Sequence, residues 1–330
     1  MRRTLLAVAL GMGVMSALCA CGNKESEGNT MEMIGSESAE ANTGNQSVRN
    51  SSQIDQTEQE AAMAAGYETR EIHVDKEGMN IYGVVHIPSG TEGKMPTVIM
   101  SHELGATLDR VKGYGEVLAE EGYVTVCFDF CGGGWASRSD GELLDMSVLT
   151  EKADLEAVLE EVKQWDFVDT SSIYLMRNSQ GGLVTALTAA EHKEEIRAVI
   201  LIYPAFCIYD DVHEMFDSPE EIPETHNLLG LRLGNQYFVD IWDQEPYEWI
   251  KEYGKNILLI HGDRDSIVPI SYCLYTGVKT LAFQAKPLGQ PHTSKFRKKK
   301  CRDTKLEVKT WKIIESQPII RMISNTTLYG

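Results

Sequence analysis

Beyond residue 66, apolar and polar positions alternate in a way that predicts short strands separated by amphipathic helices. Thr69 to Val74 and Ile81 to Ile87 read as a hairpin with its turn around Lys76-Glu77-Gly78. Buried-strand runs follow at Thr97–Met100, Val124–Phe128, Ile173–Met176, Ala198–Ile202 and Ile257–Ile260. The clearest helix starts near Ser147 and sets Leu155, Val158, Leu159, Val162 and Trp165 on one face, at steps of three and four. Such alternation predicts a mostly parallel sheet covered on both faces, whose chemistry belongs at the carboxyl ends of its strands.

The first 65 residues follow another pattern. Arg2 and Arg3 precede an apolar run, Leu5 to Leu18, which is too short for a convincing membrane span and has the parts of an export signal. It ends in Leu18-Cys19-Ala20-Cys21, which resembles the lipobox of bacterial lipoproteins. The resemblance implies a signal peptide over 1–20 and lipidation of Cys21, with Cys19 a slight departure from the usual small residue. An ordinary cleaved signal without lipid is the alternative. Residues 21–65 are rich in Ser, Glu, Asn, Gln and Gly and read as a disordered tether, because they cannot bury enough apolar surface to offset ordering entropy. The expected location is the outer face of the bacterial cytoplasmic membrane.

Composition sharpens this division. The 330 residues carry a net charge of -18, which excludes nucleic acid as the main partner. The charge is uneven: residues 274–330 hold 12 Lys and Arg against 3 Asp and Glu, a net of +9, leaving -27 on the first 273. Seven cysteines at positions 19, 21, 127, 131, 207, 273 and 301 show neither zinc-type pairing nor a disulfide framework.

The segment carrying most chemistry is Ile173 to Leu187, where a strand runs into Arg177-Asn178-Ser179-Gln180-Gly181-Gly182 and then a helix. Strand, sharp turn with a central Ser, small residues, helix is the setting of a nucleophile elbow. It would push the Ser179 side chain out of the sheet and set helix N-terminal N–H groups beside it. A Ser that merely caps a helix is the plainer reading. Two further segments bear on this. Ile257 to Pro269 is a buried strand ending in the acidic loop His261-Gly262-Asp263-Arg264-Asp265, and an acid there can orient a histidine. The loop Ser101-His102-Glu103-Leu104-Gly105 follows the first core strand and could supply a backbone N–H.

Taken with the stretch Asp129 to Gly141, these motifs resemble the α/β-hydrolase superfamily over roughly residues 67–272. The likeness is greatest to the cinnamoyl/feruloyl esterase and dienelactone-hydrolase-like members. It implies an α/β fold with a mostly parallel central sheet, helices on both faces, and a small cap inserted at about 204–253 within a domain of 66–273. Ser179 would be the nucleophile and Asp265 the acid, with Asp263 as the rival acid. The backbone N–H groups of Leu104 and Gln180 would hold the oxyanion. His292, in Gly289-Gln290-Pro291-His292, falls 27 residues after Asp265, where the family places its base. The implied reaction is hydrolysis of a short-chain or aryl carboxylic ester through an acyl-enzyme, with no cofactor and no metal. A serine peptidase and a catalytically impaired lipoprotein that only binds a ligand are the alternatives; the oligomeric state stays open.

His102 and His261 are expected to tie loops, His73 and His86 to face solvent from strands, and His213 and His226 to lie in the cap. The cap's aromatic residues suit an aryl acyl group, or simply pack the cap down. Three departures stand out. Arg177 occupies the elbow position that is normally Gly, where overpacking costs about 1–3 kcal/mol unless the side chain escapes to solvent. Glu103 replaces another Gly and brings a carboxylate next to the oxyanion site. After Cys273 the family pattern fades, and 274–330 reads either as the product of a reading-frame shift or as a basic tail for anionic lipid.

Overall fold

The structure, a computed structural model, describes residues 57–262, 265–277 and 280–283. Cys21 and the signal and tether up to residue 56, Asp263 and His292 lie outside the described residues. A helix over 57–65 (α1) leads into β1 (Tyr67–Lys76) and β2 (Met79–Pro88). The connecting residues Glu77 and Gly78 both have left-handed backbone, φ 54° and 88°. Two such residues in a row match the right-handed twist of a hairpin, which fixes the register from Tyr67↔Pro88 to Lys76↔Met79.

The remaining elements in order are β3 (Met95–Met100), α2 (Asp109–Glu120), β4 (Val124–Phe128), α3 (Val148–Val162), β5 (Val168–Asn178), α4 (Ser179–Glu191) and β6 (Ile196–Ile202). Then come α5 (Cys207–Met215), a short 3-10 turn (Pro219–Glu221), the hairpin β7 (Thr225–Leu228) and β8 (Leu231–Gly234), α6 (Asn235–Trp242) and α7 (Pro246–Tyr253). The described chain closes with β9 (Asn256–Gly262), α8 (Ile270–Tyr275) and β10 (Thr280–Phe283).

Eight strands form one sheet in the order β1-β2-β4-β3-β5-β6-β9-β10. β2 runs antiparallel to both its neighbours, and every pair from β4 to β10 is parallel. The chain moves from β3 to β4 on one side, then returns to place β5 on the other side of β3. This leaves a crevice at the carboxyl ends of β3 and β5, where open α/β sheets bind ligands.

Helix α3 begins where the pattern predicts. The Ser147 hydroxyl accepts from Leu149 and Thr150 N–H, and the Thr150 hydroxyl accepts from the Ser147 N–H, a reciprocal capping box. Its face Leu155, Val158, Leu159 and Val162 is buried, and the helix packs on α4, α6 and the sheet. α2 covers the opposite sheet face through Val111 and Leu118. Among the described residues no helix is long and apolar enough to cross a membrane.

Three differences from the sequence reading have physical causes. His86 does not face solvent: β2 is an interior strand, and α2 comes so close at Gly115 that a Cβ there would sit 3.2 Å from the His86 ring. Its Nδ1 pairs with the Thr69 hydroxyl at 2.9 Å, and burial lowers its pKa to about 4. Within 204–253, α7 lies in the main helical layer on α4, and the Tyr253 hydroxyl donates to the Ile196 carbonyl at 3.2 Å. Lastly, the sheet continues past Cys273. β10 pairs in parallel with β9 from Thr280↔Leu259 to Phe283↔Gly262.

Candidate active site

Ser179 is the first residue of α4 and has φ 49°, a left-handed backbone that a non-glycine residue seldom adopts. β5 must turn sharply into α4 here, and the small residues after Ser179 permit it. A Cβ on Gly181 would come within 2.8 Å of the His102 carbonyl oxygen, and one on Gly182 within 2.6 Å of the Pro204 side chain. The Ala205 N–H donates to the Ser179 carbonyl at 2.9 Å and so ties the turn to the loop after β6. The Gln180 N–H belongs to the first turn of α4, where the helix supplies no acceptor. The Gln180 side chain is fixed by the Tyr237 hydroxyl, which donates to Oε1 at 2.6 Å.

The loop after β3 is held from several sides. His102 Nδ1–H donates to the Glu103 carbonyl at 2.8 Å, and its Nε2 accepts from the Phe130 N–H at 3.1 Å. Burial lowers its pKa, which suits a neutral ring in that tie. The Gly105 N–H donates to Gly133 O at 3.1 Å. Asp129 accepts from Leu108 N–H at 2.6 Å and from Arg138 N–H at 2.9 Å, joining this loop to the one after β4. Among the described residues, no hydrogen bond engages the Leu104 N–H.

Glu103 is not the free charge expected from its position. Its Oε1 accepts from Arg110 Nε at 2.8 Å, and its Oε2 accepts from Asn178 Nδ2 at 2.7 Å. Burial works against the carboxylate, but the bonds from Arg110, its own N–H and Asn178 outweigh it and hold its pKa below the usual value. The Asn178 amide also donates to the Tyr203 hydroxyl at 3.0 Å. Tyr203 is itself left-handed, φ 38°. No local pattern announces this network, because Glu103 and Asn178 are 75 residues apart in the chain.

Asp265 follows β9 and caps its own loop, accepting from Ile267 N–H at 3.0 Å and Val268 N–H at 2.9 Å. His261 Nε2–H donates to Val268 O at 2.7 Å, and its Nδ1 lies 3.0 Å from the Cys273 sulfur. Asp265 Oδ2 is 3.7 Å from His261 Nε2. His102 and His261 therefore both tie loops. One strand, β6, separates β5 from β9, so the loops bearing Ser179 and Asp265 leave the same sheet edge about 10 Å apart. β10 ends at that edge too, and His292 lies nine positions further along the chain.

Arg177 does not escape to solvent. Its side chain is 1% exposed, over Phe128 at 4.8 Å and Phe130 at 5.6 Å, and among the described residues none of its three guanidinium nitrogens has a hydrogen-bond partner. Burial depresses its pKa far below the ordinary arginine value, and the nearby Glu151 and Cys127 pull the other way. Glu151 is buried as well, with one carboxyl oxygen unpaired, and burial pushes its pKa up to about 8 against a hydrogen bond from Gln180.

The cap's aromatic residues mostly pack on one another. His213 stacks on Trp242 at 4.3 Å, and His226 meets Phe216 and Phe238 edge-on. Leu231 at the β7–β8 hairpin presses on Gly105, so the hairpin lies against the loop bearing Leu104. Trp135, two residues after Gly133, is 82% exposed. A water-sized cavity of about 10 Å³ adjoins Asn178 and Tyr203, and a groove of about 550 Å³ lies between the β1–β2 turn and α3, away from Ser179. At the far end of α4, ligand atoms of Glu160, His192 and Glu195 lie within 4.8 Å of one another, but Lys163 already bonds both carboxylates.

Residues 94–238 match the family described as "Serine aminopeptidase, S33". Among solved structures, the chain is similar to Est1E from Butyrivibrio proteoclasticus with ferulic acid bound. The identity is 26% and the TM-score 0.60, covering 64% of this chain and 89% of that one. A second structure of Est1E gives 24% and 0.57, over 65% and 88%. The α/β hydrolase GrgF from Penicillium sp. sh18 gives 16% and 0.52, over 65% and 89%, a likeness of fold. No curated protein sequence matches the chain. The strand order with β2 alone reversed, the left-handed serine between β5 and α4, and these likenesses agree: the chain is a member of the α/β-hydrolase superfamily.

Proposed function

We propose that the chain is a serine hydrolase that cleaves a carboxylic ester through an acyl-enzyme. The observation that carries this reading is the backbone of Ser179, left-handed at a strand-to-helix turn and next to the N–H of Gln180, which has no hydrogen-bond partner among the described residues. In the proposed reaction the Ser179 hydroxyl attacks the ester carbonyl while His292 takes its proton. The oxyanion is held by the Leu104 and Gln180 N–H groups, and the alcohol leaves with the proton returned by His292. Water, activated by the same imidazole, then releases the acid. Asp265 orients the imidazole and stabilises its charged form. An aryl or short acyl group is the proposed substrate: Est1E binds ferulic acid, and the exposed Trp135 stands next to the loop bearing Leu104.

The domain is further proposed to be exported and held by a lipid on Cys21 at the outer face of the cytoplasmic membrane. Cys21→Ser should then release it from the membrane fraction; a variant that stays bound counts against the anchor. A reading-frame shift near Cys273 is the rival to the assignment of His292: it would make residues 274–330 foreign to the family and remove the base, and intact-mass measurement of the native protein decides between the two.

A fluorophosphonate probe tests the central claim. Labelling of the parent chain that vanishes in Ser179→Ala supports it. No labelling of the parent favours the second reading, a ligand-binding hydrolase fold, which the buried, unpartnered Arg177 motivates. The family description keeps aminopeptidase action in view, so aryl acetates are compared with aminoacyl amides; faster cleavage of the amides would replace the esterase reading.

A further inference from the structure

The two backbone donors proposed for the oxyanion come from different elements, Leu104 from the loop after β3 and Gln180 from the start of α4. Such donors work only if their separation is fixed before the reaction, because their value lies in needing no reorganisation as charge develops. Neither donor's N–H has a hydrogen-bond partner of its own among the described residues, so something else must set the distance. A side-chain link does span the gap. Glu103 adjoins Leu104, Asn178 adjoins Ser179, and Asn178 Nδ2 donates to Glu103 Oε2 at 2.7 Å.

The surroundings fix this link on both sides. The second carboxylate oxygen is held by Arg110 of α2 at 2.8 Å, so the carboxyl cannot rotate away without breaking an ion pair. The Asn178 amide faces two oxygens at once, since the Tyr203 hydroxyl lies 3.0 Å from the same nitrogen. Reversing the amide would set its oxygen against a carboxylate, so its orientation is determined. Three loops, after β3, β5 and β6, thus meet at one amide group.

We propose that Glu103 and Asn178 form a clamp that sets the spacing of the Leu104 and Gln180 N–H groups, making both of them positioning residues of the site. This rests on the reading of the chain as a serine hydrolase. It also inverts the expectation from sequence, in which Glu103 harms the site by its charge.

The test combines hydrogen exchange with kinetics on the full chain. Exchange is read at Gly105 and Ala106 in the first loop and at Ala205, whose N–H holds the Ser179 carbonyl. Glu103→Ala and Asn178→Ala should each speed exchange at these sites about tenfold, the loss of roughly one charge-assisted hydrogen bond. The double variant should be no faster than either single one. Glu103→Gln, which keeps one acceptor for Asn178 but turns its amide NH2 towards Arg110 and loses the ion pair, should restore part of the protection. With p-nitrophenyl acetate, kcat should fall about tenfold in both alanine variants with KM unchanged, and recover in part in Glu103→Gln.

Unchanged exchange in both single variants, or purely additive effects, would overturn the clamp whatever the kinetics show. A higher kcat in Glu103→Gln and Glu103→Ala alike would restore the harmful-charge account instead. Coupled exchange in a parent chain that neither hydrolyses the ester nor takes the fluorophosphonate would leave the clamp standing and remove the hydrolase reading.

Discussion

Glu103 and Arg177 flank the turn that bears Ser179, one on the loop after β3 and the other near the end of β5. Each brings a long charged side chain to a position where the superfamily pattern has a glycine. Around Glu103 the structure offers a guanidinium, an amide and a backbone N–H, and the carboxyl stays ionised though half-buried. Around Arg177 it offers two aromatic rings and a carboxyl that burial itself pushes towards the neutral form. The difference lies in what each charge can reach. Glu103 lies on a loop, where neighbouring loops can supply donors. Arg177 lies in a strand under a helix, where the backbone groups are already used by the sheet.

The comparison predicts opposite responses to removing the charge. Taking an unpaired cation into a protein interior costs several kcal/mol, and a buried ring face returns only about 2 kcal/mol of it. Arg177→Met keeps an unbranched side chain of similar reach and drops the charge. It should stabilise the domain by about 2–4 kcal/mol, seen as a higher urea midpoint at unchanged slope. A lower midpoint would mean that Arg177 has partners the structure does not give it, and the contrast with Glu103 would collapse.

The next effect sharpens the same contrast through pH. The folded-state pKa of Glu151 is raised to about 8, against 4.5 for the free side chain, first by burial and in spite of the bond from Gln180. The folded protein therefore holds a proton that the unfolded chain has lost between these values. Stability is fully present below about pH 4.5, falls as pH rises, and levels off once pH passes about 8. The slope from this one group should be at most about 1.4 kcal/mol per pH unit across that window. Glu151→Gln should flatten that slope in urea denaturation at pH 5, 6.5 and 8. A slope that is equally steep in the variant would place its origin elsewhere.

Much of the scaffold was legible because its determinants are local. The β-branched run Val124–Phe128 is the whole of β4, the Ser147 cap begins α3, and the turn chemistry of Ser179 to Gly182 marks the elbow. β10 escaped notice because Thr280–Phe283 is only four residues long and depends on β9 for its pairing. His86 was misplaced because burial on β2 is set by α2 and β4, not by alternation within the strand. The candidate site divides in the same way. Ser179 and Asp265 stand out in the sequence because each sits at a turn after a predicted strand, whereas the bond between Glu103 and Asn178 joins loops 75 residues apart. Arg177 could be seen as out of place from sequence, but only packing shows that it stays inside.

The smallest effect belongs to the other end of α4, where a charged cluster is fully supplied with partners. His192 caps that end, with Nδ1 3.0 Å from Glu195 and Nε2 2.9 Å from Glu156. Burial lowers its pKa, but the bonds it donates to the two carboxylates outweigh this and raise it above the ordinary 6.5. A raised histidine contributes stability that is present below its unfolded value and is lost as pH climbs through the folded one. The cluster is partly exposed and Lys163 competes for Glu195, so solvent and the rival cation discount the gain. His192→Asn should therefore cost about 0.5 kcal/mol at pH 5.5 and still less at pH 9, measured by urea denaturation. A loss above about 1.5 kcal/mol, or one that grows with pH, would show that partnered surface charge matters here as much as the unpartnered charge beneath Ser179, and the lesson drawn from Arg177 would not hold.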